Sequence, residues 1–310
     1  MKHTQYLIIS LIVFLSNIAF SQDFTKISKK QIIGVGEYHS YTYNNEIKLE
    51  LLNQIISKSK FDKITIYIEY SPTLEYWINL KDTNKLKMYF VNNTDRYFNN
   101  KMLYKNTSEY NFIKDLIQLS SDNDIEIKAI DGFYTLRHLF FTLKKIVNKY
   151  ENISLFCFKN PIDSILQQKK NHQSDTIVFA KIKKQFEVDS IEIEKNLNEY
   201  DFFYLNKILK TPFFFKAYHK SRDRYMFENM KRDYAKNNQM IYLGGAGHLR
   251  NNIKGRLGEK LSTYFDNFFQ TKTYCIGITL KDEYQSDKGK FDYVIINKKA
   301  EFFFRTKKKE

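Results

Sequence analysis

The chain has 310 residues, with 50 Lys and Arg against 35 Asp and Glu, giving a formal net charge of +15. Hydrophobic residues at 43% and aromatics at 16% exclude a disordered chain, and two cysteines exclude a disulfide framework. Only ten glycines are present, where usage of about 7% would give roughly 22, so the position of each is informative.

Residues 1–21 read as an export signal. Lys2 and His3 form a basic start, residues 6–15 an apolar core, and Ala19 and Ser21 the small residues before a cleavage that leaves Gln22 first. This predicts a periplasmic or secreted protein. The apolar run falls short of the ~20 residues of a membrane span, and no later segment is apolar enough, so no integral span is expected after cleavage. Residues 22–310 are of a length for one domain.

Short β-branched runs follow at residues 31–35, 64–68, 125–130, 240–243 and 274–279, each bounded by polar residues or glycine. Helical periodicity marks residues 46–57, 110–119, 135–150 and 253–265. Strand and helix in alternation predict an α/β fold with a mostly parallel central sheet. Residues 152–220 lose the strand signal and become charged and aromatic, which predicts a helical insertion. Residues 305–310 form a basic tail. Cys157 and Cys275 are open to either pairing or burial as thiols.

One segment echoes another. Gly36-Glu37-Tyr38-His39 and Gly245-Ala246-Gly247-His248 each follow an apolar run and precede a helical stretch, and residues 32–39 and 241–248 together hold five of the ten glycines. They predict two similar strand, Gly-x-x-His, helix halves, with turns that need either a positive φ or a close approach. In open parallel sheets, ligands bind beyond the carboxyl ends of the strands. Those ends carry Glu37, His39, Glu69, Asp131 and His248, a set suited to activating water or holding a metal. For Asp131, capping of the following helix is the preferred reading. His138, His172 and His219 lack such a context. In Arg222-Asp223-Arg224-Tyr225-Met226, a helix puts Arg222, Met226, Asn229 and Met230 on one face, where Arg222 can grip a carboxylate or an anionic substrate.

These motifs, in this order across residues 31–279, resemble a superfamily comprising the erythromycin esterase-like proteins, the Tiki/TraB/GumN proteins and the ChaN-type haem-binding proteins. Arg222-Asp223-x-x-Met226-x-x-Asn229 is similar to the esterase-like branch, and Gly245-Ala246-Gly247-His248-Leu249 to the Tiki/TraB branch. The esterase-like resemblance implies a hydrolase in which Glu37 and His39 activate water, with Glu69, Arg222 and His248 in the site; Tyr38, Asp131 and Arg224, near these residues in sequence or at a strand end, are the candidates for touching substrate. The Tiki-like resemblance implies a divalent metal between His39 and His248. The ChaN-like resemblance implies haem or iron binding without catalysis, for which the aromatic-rich insertion offers Tyr200, Tyr204 and Tyr218 as candidate ligands. The chain departs from the esterases in spacing its first pair as Glu37-x-His39 rather than Glu-x-x-His, and in carrying a single late histidine.

The leading expectation is a hydrolase acting on an ester or peptide. The alternatives are a haem- or iron-binding protein and a fold without catalysis. No Gly-x-Ser-x-Gly elbow, phosphate loop or complete Gly-x-Gly-x-x-Gly fingerprint is present. Removing residues 1–21 takes one lysine and no acid, so the positive excess belongs to the mature chain. Its lysines are scattered without an aromatic-interleaved stripe, which argues against a nucleic-acid partner.

Overall fold

A computed structural model describes residues 24–39, 41, 43–91, 100–133, 136–150, 153–168, 171–214, 221–249 and 259–299. Six strands, β1 (Ile32–Glu37), β2 (Lys63–Ile68), β3 (Glu126–Ala129), β4 (Asn238–Gly245), β5 (Tyr274–Leu280) and β6 (Tyr293–Asn297), form one sheet in the order β3-β2-β4-β1-β5-β6. Every pairing is parallel. The central strands are apolar along their length because both faces of the sheet are covered, and β4 is buried at all eight positions. The expected export signal and basic tail lie outside the described residues.

The connections carry eleven helices among the described residues: α1 (Asn44–Ile56), α2 (Pro72–Asn79), α3 (Thr83–Val91), α4 (Asn100–Asn123), α5 (Arg137–Val147), α6 (Ile153–Gln167), α7 (His172–Asn196), α8 (Glu199–Lys210), α9 (Arg222–Lys231), α10 (Leu261–Phe269) and α11 (Tyr284–Asp287). Side chains alternate across a strand, and the apolar core divides accordingly. Ile33, Val35, Ile66, Ile68, Ile241 and Leu243 face one way, against α1, α2 and the helices through α8. Ile32, Tyr67, Met240 and Tyr242 face the other way, against Met226, Phe227 and Met230 of α9 and Leu261 and Phe265 of α10. The face expected on α9 is present, since Met226 and Met230 are fully buried and Asn229 Nδ2 donates to Ile130 O at 2.9 Å.

This division creates a crevice. β1 and β4 are neighbours with Glu37 opposite Gly245. The chain leaves β1 for α1 on one face, and after β4 its next described helix is α10 on the other. Adjacent parallel strands whose connections part to opposite faces leave their carboxyl ends open, which is where such sheets bind ligands.

The five expected strands are present with ends shifted by a few residues, and β6 is a sixth that sequence reading passed over. The stretch expected as a helix at 253–265 is described only from residue 259, where α10 begins at Leu261. No glycine of the Gly-x-x-His turns has a positive φ, since the one positive-φ glycine among the described residues is Gly289; Gly36 and Gly245 answer to close approach, while a Cβ at Gly247 would meet open space. A Cβ at Gly36 would lie 2.8 Å from Ala246 Cα, and one at Gly34 2.6 Å from Leu249. Exposed Cys157 and buried Cys275 form no disulfide.

Candidate active site

Glu69, one residue past the end of β2, is the hub. Its side chain is 7% exposed, and such burial of a carboxylate is tolerable only with partners. One oxygen, Oε2, accepts from the Tyr242 hydroxyl at 3.0 Å and from the Gly245 N–H. The other, Oε1, contacts Arg222 Nη2 and lies 3.4 Å from His248 Nε2 and 3.8 Å from His39 Nε2. These cations hold the Glu69 carboxyl well below its ordinary range although burial pushes it up. The same burial, beside Glu69, keeps Tyr242 a neutral donor, with its pKa well raised.

Behind Glu69, Arg222 opens α9 with its guanidinium edge on Asp131, at 3.1 and 3.2 Å from Nε to the two carboxylate oxygens and 2.5 Å from Nη2. Asp131 is fully buried and also accepts from Gly132 N–H at 2.8 Å. Its pKa is pushed up to about 6, because burial and the nearby Glu69 outweigh the relief from Arg222 and the Gly132 amide. The helix-capping alternative fails, since α5 starts six residues later with Leu136 at its cap. His248 ends a single 3₁₀ turn, Ala246–His248. Its Nδ1 contacts the Asp223 carboxylate and its Nε2 lies 3.0 Å from Arg222 Nη1. Burial opposes a charge on this ring, but Glu69 and Asp223 prevail and raise its pKa to about 9. Arg222 and His248 therefore sit side by side on one carboxylate.

In front, His39 is the open member, with a side chain 58% exposed. Nδ1 lies 3.4 Å from Glu37 Oε1, and Lys48 Nζ of α1 approaches that same oxygen at 3.2 Å. Lys48 is buried and its ammonium stands 4.5 Å from the Phe112 ring centroid, a cation–π contact. Hydrogen bonding to Glu37 and then Glu69 raises the His39 pKa to about 10 despite partial desolvation, so the ring carries a proton at neutral pH. Glu37 stays ionised: burial works against it, but Lys48 and His39 bring its pKa below the ordinary value. Gly245 makes room for this ring, because a Cβ there would lie 2.7 Å from His39 Nε2.

Of the residues picked out in sequence, Glu37, His39, Glu69, Arg222 and His248 thus lie in one cluster. The three expected beside a substrate are held by other partners or face solvent. Asp131 is sealed behind Arg222. Arg224 is exposed two residues round the helix from Arg222, a turn of about 200° that carries it off the buried face. Tyr38 donates its hydroxyl to Asp287 at 2.9 Å, fastening the His39 turn to α11. Arg222 itself is spent on Asp131, Glu69 and His248, and holds the site rather than a substrate anion.

A comparison with solved structures finds three similar folds. A protein from Bacillus cereus is 12% identical with a TM-score of 0.48, over 81% of this chain and 66% of that one. An erythromycin esterase, EreC, captured as a point variant in its open conformation, is 14% identical with a TM-score of 0.47, over 81% and 70%. A succinoglycan biosynthesis protein is 13% identical with a TM-score of 0.48, over 81% and 66%. The chain thus spans about two thirds of the length of the structures it matches. No family model and no curated protein matches the sequence.

The donor set does not fit a divalent metal. The Arg222 guanidinium already occupies the space between Glu69, Asp131 and His248, and no group of three ligating residues with metal geometry is found among the described residues. Nor do the tyrosines named for haem fit one. Tyr200 donates to Tyr76 O at 2.7 Å, and the Tyr204 hydroxyl is held by Asn79 and Glu75 within a helix interface. Tyr218 lies outside the described residues.

Sequence reasoning missed Lys48, Tyr242 and the role of Asp223. Asp223 had a signal, its place beside Arg222, since consecutive helical residues flank one turn. Tyr242 had one too, as the polar-tipped residue two places before Gly244 in the apolar run Met240-Ile241-Tyr242-Leu243. Lys48 had none, because a lysine in an amphipathic helix reads as solvated.

Proposed function

We propose that the protein is a hydrolase that activates water at His39 against an ester or amide carbonyl. The observation that carries this reading is the open His39 ring held between two ionised carboxylates, Glu37 and Glu69, at the strand ends. In its neutral form His39 takes the proton of the attacking water. Glu37 and Glu69 stabilise the imidazolium that results and fix the ring's orientation. His248, its ring nitrogens held by Asp223 and Glu69, acts through the field of its positive charge on the negative charge that develops on the carbonyl oxygen. Arg222, Asp131, Tyr242 and Asp223 position Glu69 and His248. No metal is required by this scheme. The motif resemblance to the erythromycin esterase-like branch supports hydrolysis as the reaction class, and the export-like pattern of residues 1–21 is in keeping with work in the periplasm or outside the cell.

The test is a screen of p-nitrophenyl esters and peptide amides with the wild type and His39→Ala. Turnover in the wild type, lost in a variant with an unchanged circular dichroism spectrum, is expected. Because neutral His39, with a pKa of about 10, and protonated His248, with a pKa of about 9, are the reactive forms, log kcat/KM should climb with pH to about 9 and level off above it. A folded His39→Ala variant with full activity, or a rate that falls between pH 7 and 9, overturns the assignment.

A further inference from the structure

A groove of about 560 Å³ lies on the open edge of the sheet, away from His39. Small-molecule sites span about 300–1,000 Å³ and combine apolar walls with a few placed polar groups. The floor here is the β3 backbone with Ile127 and Ile130, and the walls come from α8 and α9. Every carboxylate in it is already neutralised. Glu75 pairs with Lys207 at 2.5 Å, Asp233 with Lys128 at 2.8 Å, and Glu126 with Lys63 at 2.9 Å and Lys128 at 3.1 Å. Two further cations line the groove, Lys210 from the end of α8 and Arg232 just past α9, and no ion pair takes up either among the described residues. The groove is therefore left with two uncompensated positive charges. Beside them Phe203 offers a ring that is 53% exposed, and the Asn206 and Asn229 amides supply neutral donors and acceptors.

We infer that this groove binds an organic anion, a phosphate or carboxylate on a flat or cyclic body, with the charge on Lys210 and Arg232 and the ring on Phe203. A bare inorganic ion would satisfy the cations and leave the aromatic wall and most of the volume unused. The cations and the apolar wall thus select a molecule with both parts. Arg232 is suited to the charged end because its planar fork binds phosphate and carboxylate oxygens in pairs. The inference does not depend on hydrolysis at His39. α9 nevertheless borders both places, since its first turn carries Arg222 and Asp223 and its later turns carry Tyr225 and Asn229.

Isothermal titration of the full chain with phenyl phosphate, inorganic phosphate and benzyl alcohol tests it, with His39→Ala used throughout so that no probe is turned over. Phenyl phosphate should bind more tightly than phosphate, and benzyl alcohol should show no measurable heat. Lys210→Gln with Arg232→Gln should weaken phenyl phosphate at least tenfold, and Phe203→Ser should weaken phenyl phosphate while leaving phosphate unchanged. All three side chains are exposed, so these variants retain the fold. Equal binding to the wild type and the double variant, no binding of phenyl phosphate, or equal affinity for phenyl phosphate and phosphate each overturns the inference.

Discussion

Arg222→Met removes one cation from two buried carboxylates, and the consequence can be worked out from their surroundings. Asp131 is fully buried and, without Arg222, keeps the Gly132 amide. Glu69 retains Tyr242, Gly245 and the two histidines. Deleting one partner of a buried ion pair costs about 3–5 kcal/mol, most of it from the charge left behind, and Met replaces the apolar stem so that packing loss is small. The cost should depend on pH. The Asp131 pKa is already raised to about 6, and Arg222 is what restrains it from rising further. In the variant it rises. A carboxyl whose folded pKa exceeds its unfolded value confers stability below the unfolded value of about 3.9, and that stability is lost as pH rises through the folded pKa. Urea unfolding followed by circular dichroism should therefore show a loss of about 3–5 kcal/mol at pH 8 and a smaller loss at pH 5.5. A loss below about 1 kcal/mol at pH 8, the value of an exposed pair, or an equal loss at both pH values, refutes the reasoning.

Three other substitutions probe the cluster. Gly245→Ala keeps an allowed backbone, with φ −67° and ψ 136°, but its methyl would meet His39 Nε2 at 2.7 Å; kcat should drop at least about tenfold, or about 1.4 kcal/mol, with Tm nearly unchanged, and undiminished kcat would show that the His39 position is immaterial. Asp223→Asn removes a charge that raises the His248 pKa, so that pKa should fall below about 9 in an NMR titration; the stability tied to this proton, complete below 6.5 and lost as pH rises through the folded pKa, should then disappear at lower pH than in the wild type. Lys48→Met strips the buried ammonium from Glu37 while His39 stays in contact, so the cost should be about 2 kcal/mol rather than that of a fully orphaned charge, and a cost like that of Arg222→Met would mean that His39 gives Glu37 no support.

How much of this was legible in sequence depended on what kind of interaction carried it. The strands were readable because a parallel sheet buried on both faces turns them into continuous apolar runs, as in Ile64-Thr65-Ile66-Tyr67-Ile68. β6 was obscured because its Tyr293–Asn297 run sits among lysines and is only half-buried at four of its five positions. The site residues that leave strand ends, Glu37, His39, Glu69 and His248, were readable because the α/β layout fixes where strand ends meet. Their partners were not. Lys48 and Asp223 look like ordinary helix-surface charges until the tertiary fold turns them inward, and a 3.6-residue period alone does not say which charge faces a crevice. Asp131 shows the reverse, a strand-end residue whose placement was right and whose accessibility was not, because α9 closes over it.

The geometry of His39 follows from the pleat of the sheet. Glu37 shares the parity of Ile33 and Val35, and so belongs to the face covered by α1, which supplies Lys48. Glu69 shares the parity of Tyr67, and so belongs to the opposite face, covered by α9, which supplies Arg222. Each carboxylate is anchored by a cation from the helix on its own side. His39, on the turn between the two faces, is met by one carboxylate from each, Nδ1 toward Glu37 and Nε2 toward Glu69. A histidine at the end of an interior strand with both connections on one face would find only one of these partners. The high pKa and fixed orientation of His39 are therefore a consequence of β1 lying at the point where the connections change sides, and both should survive any substitution that leaves the two anchored carboxylates in place and brings no atom against the ring, as a methyl at Gly245 would.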